Sequence, residues 1–376
     1  MPRLSATCCC LLFALPALVF AEEKTTDKAP VPEKADFPKD TIVSAYLNVP
    51  HDAGKNIVWC STIQLAWDAL GQELCGGPVR LEGTPQMEVE LNKGQASKED
   101  LDAESYLVRA GPATKEFIEK LNGDLKQKFG ADAPAPVQFP WAVESPVFAY
   151  AYLFKKLLFG TPFLKRDALA WQAQNGRGTK VRSFGTGGKG EASGQVRVLD
   201  YVGRGNFVLA LQTKSQADRL IVAVVAPAKT LEQTLAAVRE RVAHAKGAAL
   251  LDDDIFQMPN IAMDLNRNYE EVMHRHVLNL KDKVNTKEKG DSIVAAYQTV
   301  RFRLDDRGVE LKSEAGIGWA AADEPEPRWL VFDRPFLLYL ERVGAKAPYF
   351  ALWVENPELL EKPDPASKPA EGGTAK

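Results

Sequence analysis

The stretch RFRLDDRGVELKSEAGIGWAAADEPEPRWLVFDRPFLLYLERVGAKAPYFALWVENPELL, Arg301 to Leu360, holds a strand-like run, a glycine corner, an alternating run, a soft loop and two apolar strands. Successive side chains of an extended chain point to opposite sides. Val309, Leu311, Ser313, Ala315, Ile317 and Trp319 therefore share one face, and Glu310, Lys312, Glu314, Gly316 and Gly318 the other. The following AAADEPEPRW is small, acidic and proline-rich, as an exposed loop would be. Such a loop between two strands, so near the end of a large domain, points to a purpose other than packing.

Bulk properties bound that purpose. The 376 residues are 45% hydrophobic and 26% charged, ordinary for one large domain or two modest ones. A net charge of −3 provides no basic field to attract nucleic acid. At the N-terminus, Arg3, the 13-residue apolar run Cys8–Phe20 and the small residues ending at Ala21 read as an export signal cut after Ala21. The run is short of the ~18 apolar residues that suggest a membrane span, and no later segment reaches that length. The expected organisation is a signal peptide (1–21), a flexible Lys/Glu/Pro-rich linker (22–40), a folded domain (41–361) and a disordered tail (362–376). Its compartment is secreted or periplasmic.

Cleavage leaves Cys60 and Cys75, too few for a disulfide framework or a four-thiolate zinc site. They flank Ile63, Ala66, Leu70 and Leu74, which recur at helical spacing. A continuous helix of about 1.5 Å per residue would hold the two sulfurs about 20 Å apart, so both are expected as buried free thiols, a disulfide being open only to a helix that ends early. Helical faces also recur at Phe117, Ile118, Leu121, Leu125 and Phe129, and at Leu231, Leu235, Val238 and Val242. Strand-like runs dominate the rest: VFAYAYLF, GQVRVLDYV, FVLALQT, RLIVAVVAP, IVAAYQTVRFRL, WLVFDRPFLLYLE and PYFALWV. Several are continuously apolar, which suits strands covered on both faces. With helices mostly early and strands mostly late, the class is α+β.

No catalytic constellation stands out. GTGGKG, Gly185–Gly190, fits G-x-G-x-x-G but leads into turn and strand and not the helix a dinucleotide site needs. His274 and His276 are two apart, a spacing that does not face one partner from a helix. LDDDIF reads as a solvated turn. The expectation is a non-enzyme with no metal and no cofactor.

The opening stretch does carry a family resemblance. RFRLDDRGVELKSEAGIG resembles the fifth strand of the main sheet and the hinge of a serpin. VFDRPFLLYLERVGAKAPYFALWVENP resembles the family's C-terminal signature, with Phe332, Arg334, Pro335, Phe336 and Leu337 opening a buried strand and Phe350, Val354, Asn356 and Pro357 in the last one. Upstream, KNIVWCSTIQLAWDALGQELCGG, VFAYAYLFKKLLFGTPFLKRDALAW and FQMPNIAMDLNRNYEEV resemble, in the family's order, the shutter segment and its helix, a strand ending in Phe-Lys, and a Pro-opened strand leading to a Tyr and a helix. The resemblance spans roughly Lys55 to Pro357 and suggests a divergent, bacterial-type member.

The resemblance implies three β-sheets surrounded by about eight or nine helices, with an exposed reactive-centre loop and a monomeric state. It implies serine-type endopeptidase inhibitor activity in the extracellular space: a serine protease, elastase-like by the alanines, cuts the loop, which inserts into the main sheet. Scissile-bond candidates are Ala321, Ala322, Asp323 and Glu324, and the hinge is Gly308, Val309, Leu311, Ser313 and Ala315. The pattern also departs from the family's. Leu311, Lys312 and Glu314 are bulky for a hinge, and Pro325 follows Glu324. The shutter Asn is replaced within AYAYLF, its Ser partner is Cys60, the fifth-strand His falls on Gln298, and the Trp near the sheet top is Leu158 or Phe159. The expectation is a hydrogen-bonded shutter largely replaced by apolar or neutral groups. A second reading follows, a non-inhibitory serpin-like binding or structural protein whose loop does not insert.

Overall fold

The computed structural model describes residues 38–112, 114–138, 148–173, 176, 178–187, 190–281, 292–293, 295–308 and 327–363. The chain opens with strands β1 (Thr41–Ser44) and β2 (Asn56–Cys60) and helix α1 (Thr62–Ala69), which passes into a π-helical turn at Leu70–Cys75. Helix α2 (Gln86–Leu91), strand β3 (Tyr106–Gly111), helix α3 (Lys115–Phe129) and strand β4 (Phe148–Leu153) follow. Next come β5 (Leu164–Gln172), β6 (Gly178–Gly185), β7 (Val196–Gly203), β8 (Asn206–Leu211), β9 (Asp218–Val224) and helix α4 (Leu231–Ala243). The last strands are β10 (Ala248–Ala249), β11 (Ile255–Pro259), β12 (Ile261–Asn268), β13 (Tyr297–Leu304), β14 (Trp329–Val331), β15 (Phe336–Arg342) and β16 (Phe350–Val354).

An eight-stranded sheet, in the order β1-β2-β16-β15-β9-β8-β7-β10, forms the centre. Its inner strands β2, β16, β15, β9 and β8 are mainly apolar because both faces are covered. Ile57, Trp59, Ile221, Ala223, Leu337, Tyr339, Ala351 and Trp353 face α4, which offers Leu231, Leu235, Val238 and Val242. The intervening Val58, Val222, Leu338 and Leu352 face the other way, toward Trp171, Phe184, Phe256 and Leu330 of the four-stranded sheet β14-β11-β6-β5 and toward Ile261 and Val300. Each fully buried side chain of this size contributes about 1.5–3 kcal/mol relative to exposure. Helix α3 starts at a Thr114 cap, whose hydroxyl accepts from the Phe117 amide at 3.2 Å, and buries Ile118, Leu121 and Leu125 against Leu107 and Phe148.

Several expectations need correction. The described residues contain four α-helices, not eight or nine. The Glu-rich segment after Tyr269 makes turns, with Val272 bonding back to Tyr269 and His274 in the left-handed region. They also contain four hydrogen-bonded sheets and not three, because β3–β4 and β12–β13 stand as separate pairs. The run WLVFDRPFLLYLE splits between two sheets, β14 joining β11 and β15 joining β9 and β16. Strand β5 escaped the sequence reading because it buries only Leu169 and Trp171 and its register shifts between Arg166 and Leu169, and β6 because its opening residues are exposed. Cys60 ends β2 and Cys75 ends the π-helical turn; both are free thiols, the first buried and the second half-buried.

Candidate functional site

The two separate strand pairs lie side by side. Burial raises the Tyr150 phenol on β4, with a further push from Tyr297 on β13. Tyr152 on β4 is raised by burial and Asp132, against a pull from Arg301 on β13. Residue numbers rise together through these two couplings and on to the approach of Gly308 to Leu157–Phe159, the order of two strands running in the same sense. Beyond their C-terminal ends they converge, where Gly308 packs against the backbone of Leu157, Leu158 and Phe159. Among the described residues no backbone pairing joins β4 to β13, so each presents an edge of unpaired peptide groups.

The chain leaving β13 is held at this convergence. The Phe163 amide donates to the Asp306 carbonyl at 2.7 Å, and the Gly308 amide to the Asp305 carbonyl at 3.3 Å. Gly308 has φ +65°, and a Cβ there would lie 2.8 Å from the Leu157 carbonyl oxygen and closer still to the Phe159 nitrogen. Glycine is required on both counts.

Beneath the two strands, Gln298, which the resemblance set in place of a fifth-strand His, forms a buried hydrogen-bonded junction. Its amide nitrogen donates to the Cys60 carbonyl at 2.9 Å and the Thr62 hydroxyl at 2.6 Å, and its oxygen accepts from the Tyr269 hydroxyl at 2.7 Å. Gln298 is 4% exposed and Tyr269 1%. The junction has no charged member, but it is hydrogen-bonded on the β13 side; the amide supplies both a donor and an acceptor. Beyond the end of β4, Lys155 bonds Asp218 at 3.1 Å. Asp218 also accepts from Ser215 at 2.7 Å and from Tyr349 at 3.1 Å. This buried cluster ties β4 to the central sheet.

At the far end of the opening stretch, the LDDDIF segment is not simply a solvated turn. The Asp254 side chain is fully buried and holds Arg328, whose side chain is 17% exposed. Arg328 Nε donates to Oδ1 and Oδ2 at 3.2 and 3.0 Å, Nη2 to Oδ2 at 2.5 Å, and the Arg328 amide to Oδ1 at 2.9 Å. Burial pushes the Asp254 carboxyl up, but bonds from Arg328 and the Leu251 amide outweigh it and hold the group below its ordinary value. The Arg328 carbonyl accepts from the Ile255 amide at 3.0 Å, entering the β11–β14 pairing.

Of the sequence-predicted site, Gly308 is placed as above. Val309, Leu311, Ser313, Ala315, Ala321, Ala322, Asp323 and Glu324 lie outside the described residues, as does the N-terminal apolar run. Gly185 closes β6, where a Cβ would run into the Phe256 carbonyl of β11, so strand packing accounts for the first glycine of GTGGKG. His274 and His276 sit in the turn after β12, the first bonded through its amide to the Ile293 carbonyl.

No protein-family model and no curated protein matches the chain. Solved structures do. Thyroxine-binding globulin in complex with thyroxine aligns at a TM-score of 0.50 and 13% identity, over 81% of this chain and 93% of that one. Serpin48, a highly specific serpin of the insect Tenebrio molitor, aligns at 0.48 and 13% over 81% and 92%, and a second structure, of the human globulin with thyroxine, gives the same figures. At this identity the likeness to the globulin at 0.50 establishes the fold, which is serpin-like and α+β. No helix among the described residues is long and apolar enough to cross a membrane.

Proposed function

We propose that the protein is an exported inhibitor of a serine protease, consumed as a suicide substrate. The observation that carries this reading is that, among the described residues, no strand pairs with the facing edges of β4 and β13, and that the chain leaves β13 at Gly308 where the two converge. A chain leaving β13 at Gly308 needs only a tight reversal to run back between the strands, antiparallel to both. From Val309 to Ala321 it would reach about 43 Å at about 3.3 Å per residue, more than the eight residues of β13 require. Its alternation gives it one apolar face for the core. The protease supplies the chemistry: it forms an acyl-enzyme with the loop, and insertion carries the trapped enzyme away from where it bound. The N-terminal apolar run supports export.

The experiment is the thermal midpoint before and after nicking the chain between Ala320 and Trp329 with proteases of several specificities. About ten new backbone hydrogen bonds at about 1 kcal/mol each, at about 2 °C per kcal/mol, give a rise on the order of 20 °C. An unchanged or lower midpoint would sink insertion and favour the non-inhibitory, serpin-shaped binding or structural protein.

A further inference from the structure

The sequence between Gly308 and Trp329 contains two basic residues, Lys312 and Arg328. Arg328 is the residue type an arginine-specific protease cuts after, and it follows a small, acidic, proline-rich run. The structure spends every group such an enzyme would need. The guanidinium is forked onto the fully buried Asp254 carboxylate and also donates to the Ala249 carbonyl at 2.9 Å. The Arg328 amide is held by Asp254 and its carbonyl by Ile255. On the far side, the Trp329 amide donates to the Tyr201 hydroxyl at 3.4 Å, and the Arg204 guanidinium lies 4.3 Å from the centre of the Trp329 ring. A protease must draw the residue before the scissile bond into its pocket in extended form, which would break this set and strand a buried carboxylate.

We infer that Asp254 is a specificity-determining residue: by withholding Arg328 it removes trypsin-like enzymes from the loop's partners and leaves the bait to a protease that cuts after a small apolar side chain. The inference deepens the inhibitor reading and rests on it for the word partner. The other basic residue cannot substitute. A cut after Lys312 leaves four residues beyond Gly308, about 13 Å of strand at about 3.3 Å each, half the length of β13, whereas a cut after Ala321 leaves thirteen.

The test digests the full chain with trypsin and, separately, with a pancreatic elastase, mapping cuts by mass spectrometry beside a synthetic peptide covering Ala320–Val331. Trypsin should cut the peptide after Arg328 and the folded protein at that bond at least about 100-fold more slowly, a protection set by the cost of breaking a buried ion pair. Elastase should cut the folded protein between Ala320 and Glu324. Asp254→Asn should open the Arg328–Trp329 bond to trypsin. If that variant unfolds, seen as cuts throughout the chain, the decision falls to phenylglyoxal labelling of the unmutated protein, in which Arg328 should stay unmodified while the exposed Arg301 reacts. Trypsin cleaving the native protein after Arg328 within about tenfold of the peptide rate, or ready labelling of Arg328, overturns the clamp. Failure of elastase to cut within the loop overturns the partner class. Protected Arg328 together with no rise in midpoint after the elastase cut would refute inhibition and leave the clamp standing.

Discussion

Replacing Gln298 with Leu measures how firmly β13 is tied to the region beneath it. The substitution nearly preserves volume but removes a donor with two acceptors and an acceptor with one donor. The Tyr269 hydroxyl, the Thr62 hydroxyl and the Cys60 carbonyl each lose a buried partner. At about 1.5 kcal/mol per group the loss is about 4.5 kcal/mol; added apolar burial returns about 1.5 kcal/mol. The net cost of about 3 kcal/mol corresponds to a fall of about 6 °C in thermal midpoint at about 2 °C per kcal/mol. Near-ultraviolet circular dichroism follows it directly, since Tyr269 is part of the junction. Gln298→His, which keeps a donor and an acceptor, should lose less than Leu. Thr299→Val, one residue along on the exposed side, where the Thr299 hydroxyl bonds Asn266 at 2.6 Å, should change little. A Gln298→Leu midpoint within 1 °C of the parent would show that the junction does not hold β13.

Two further outcomes are expected. Gly308→Ala adds about 1–2 kcal/mol of left-handed backbone strain and about 1–3 kcal/mol of overpacking against Leu157 and Phe159; a midpoint equal to the parent's would refute the close approach at the loop base. Burial holds the His51 imidazole below its ordinary 6.5, against a smaller upward pull from the Thr230 backbone. The unfolded chain therefore takes up that proton first, so this contribution is intact above about pH 6.5 and is lost as pH falls below it. Between pH 7.5 and 5.5 the parent midpoint should drop more than that of His51→Gln, and equal drops would exclude His51 as the source.

Much of the architecture was legible where a single pattern suffices. The apolar runs of β8, β9, β15 and β16 read as strands covered on both faces because α4 and the second sheet cover them. The faces of α3 and α4 were read from 3.6-residue spacing; all four residues read on α4 are buried, and on α3 Ile118, Leu121 and Leu125 are, with Phe117 and Phe129 half-buried. Strand β5 was not legible, since an edge strand with a bulge carries too few buried side chains to leave an alternating trace, and β6 buries residues only beyond its exposed opening. Asp254 was misread because a carboxylate in an acidic run looks solvated until its arginine, 74 residues away, is brought to it. The resemblance singled out Gln298 and Cys60, but not the hydrogen bonds that join them, because Cys60 and Thr62 lie more than 230 residues earlier.

The sequence by itself determined which segments are strands and helices wherever burial is periodic, the position of a glycine corner at Gly308, and the acidic, proline-rich character of the stretch that follows. Those properties are local, written in side-chain spacing and backbone freedom. Only the tertiary structure decided that, among the described residues, β4 and β13 are left without a pairing strand between them, that β14 and β15 part into different sheets, and that Arg328 is held by a buried carboxylate. Each of these depends on pairing between distant peptide groups or charges, whose energies depend on burial and geometry, and neither exists until the chain has folded.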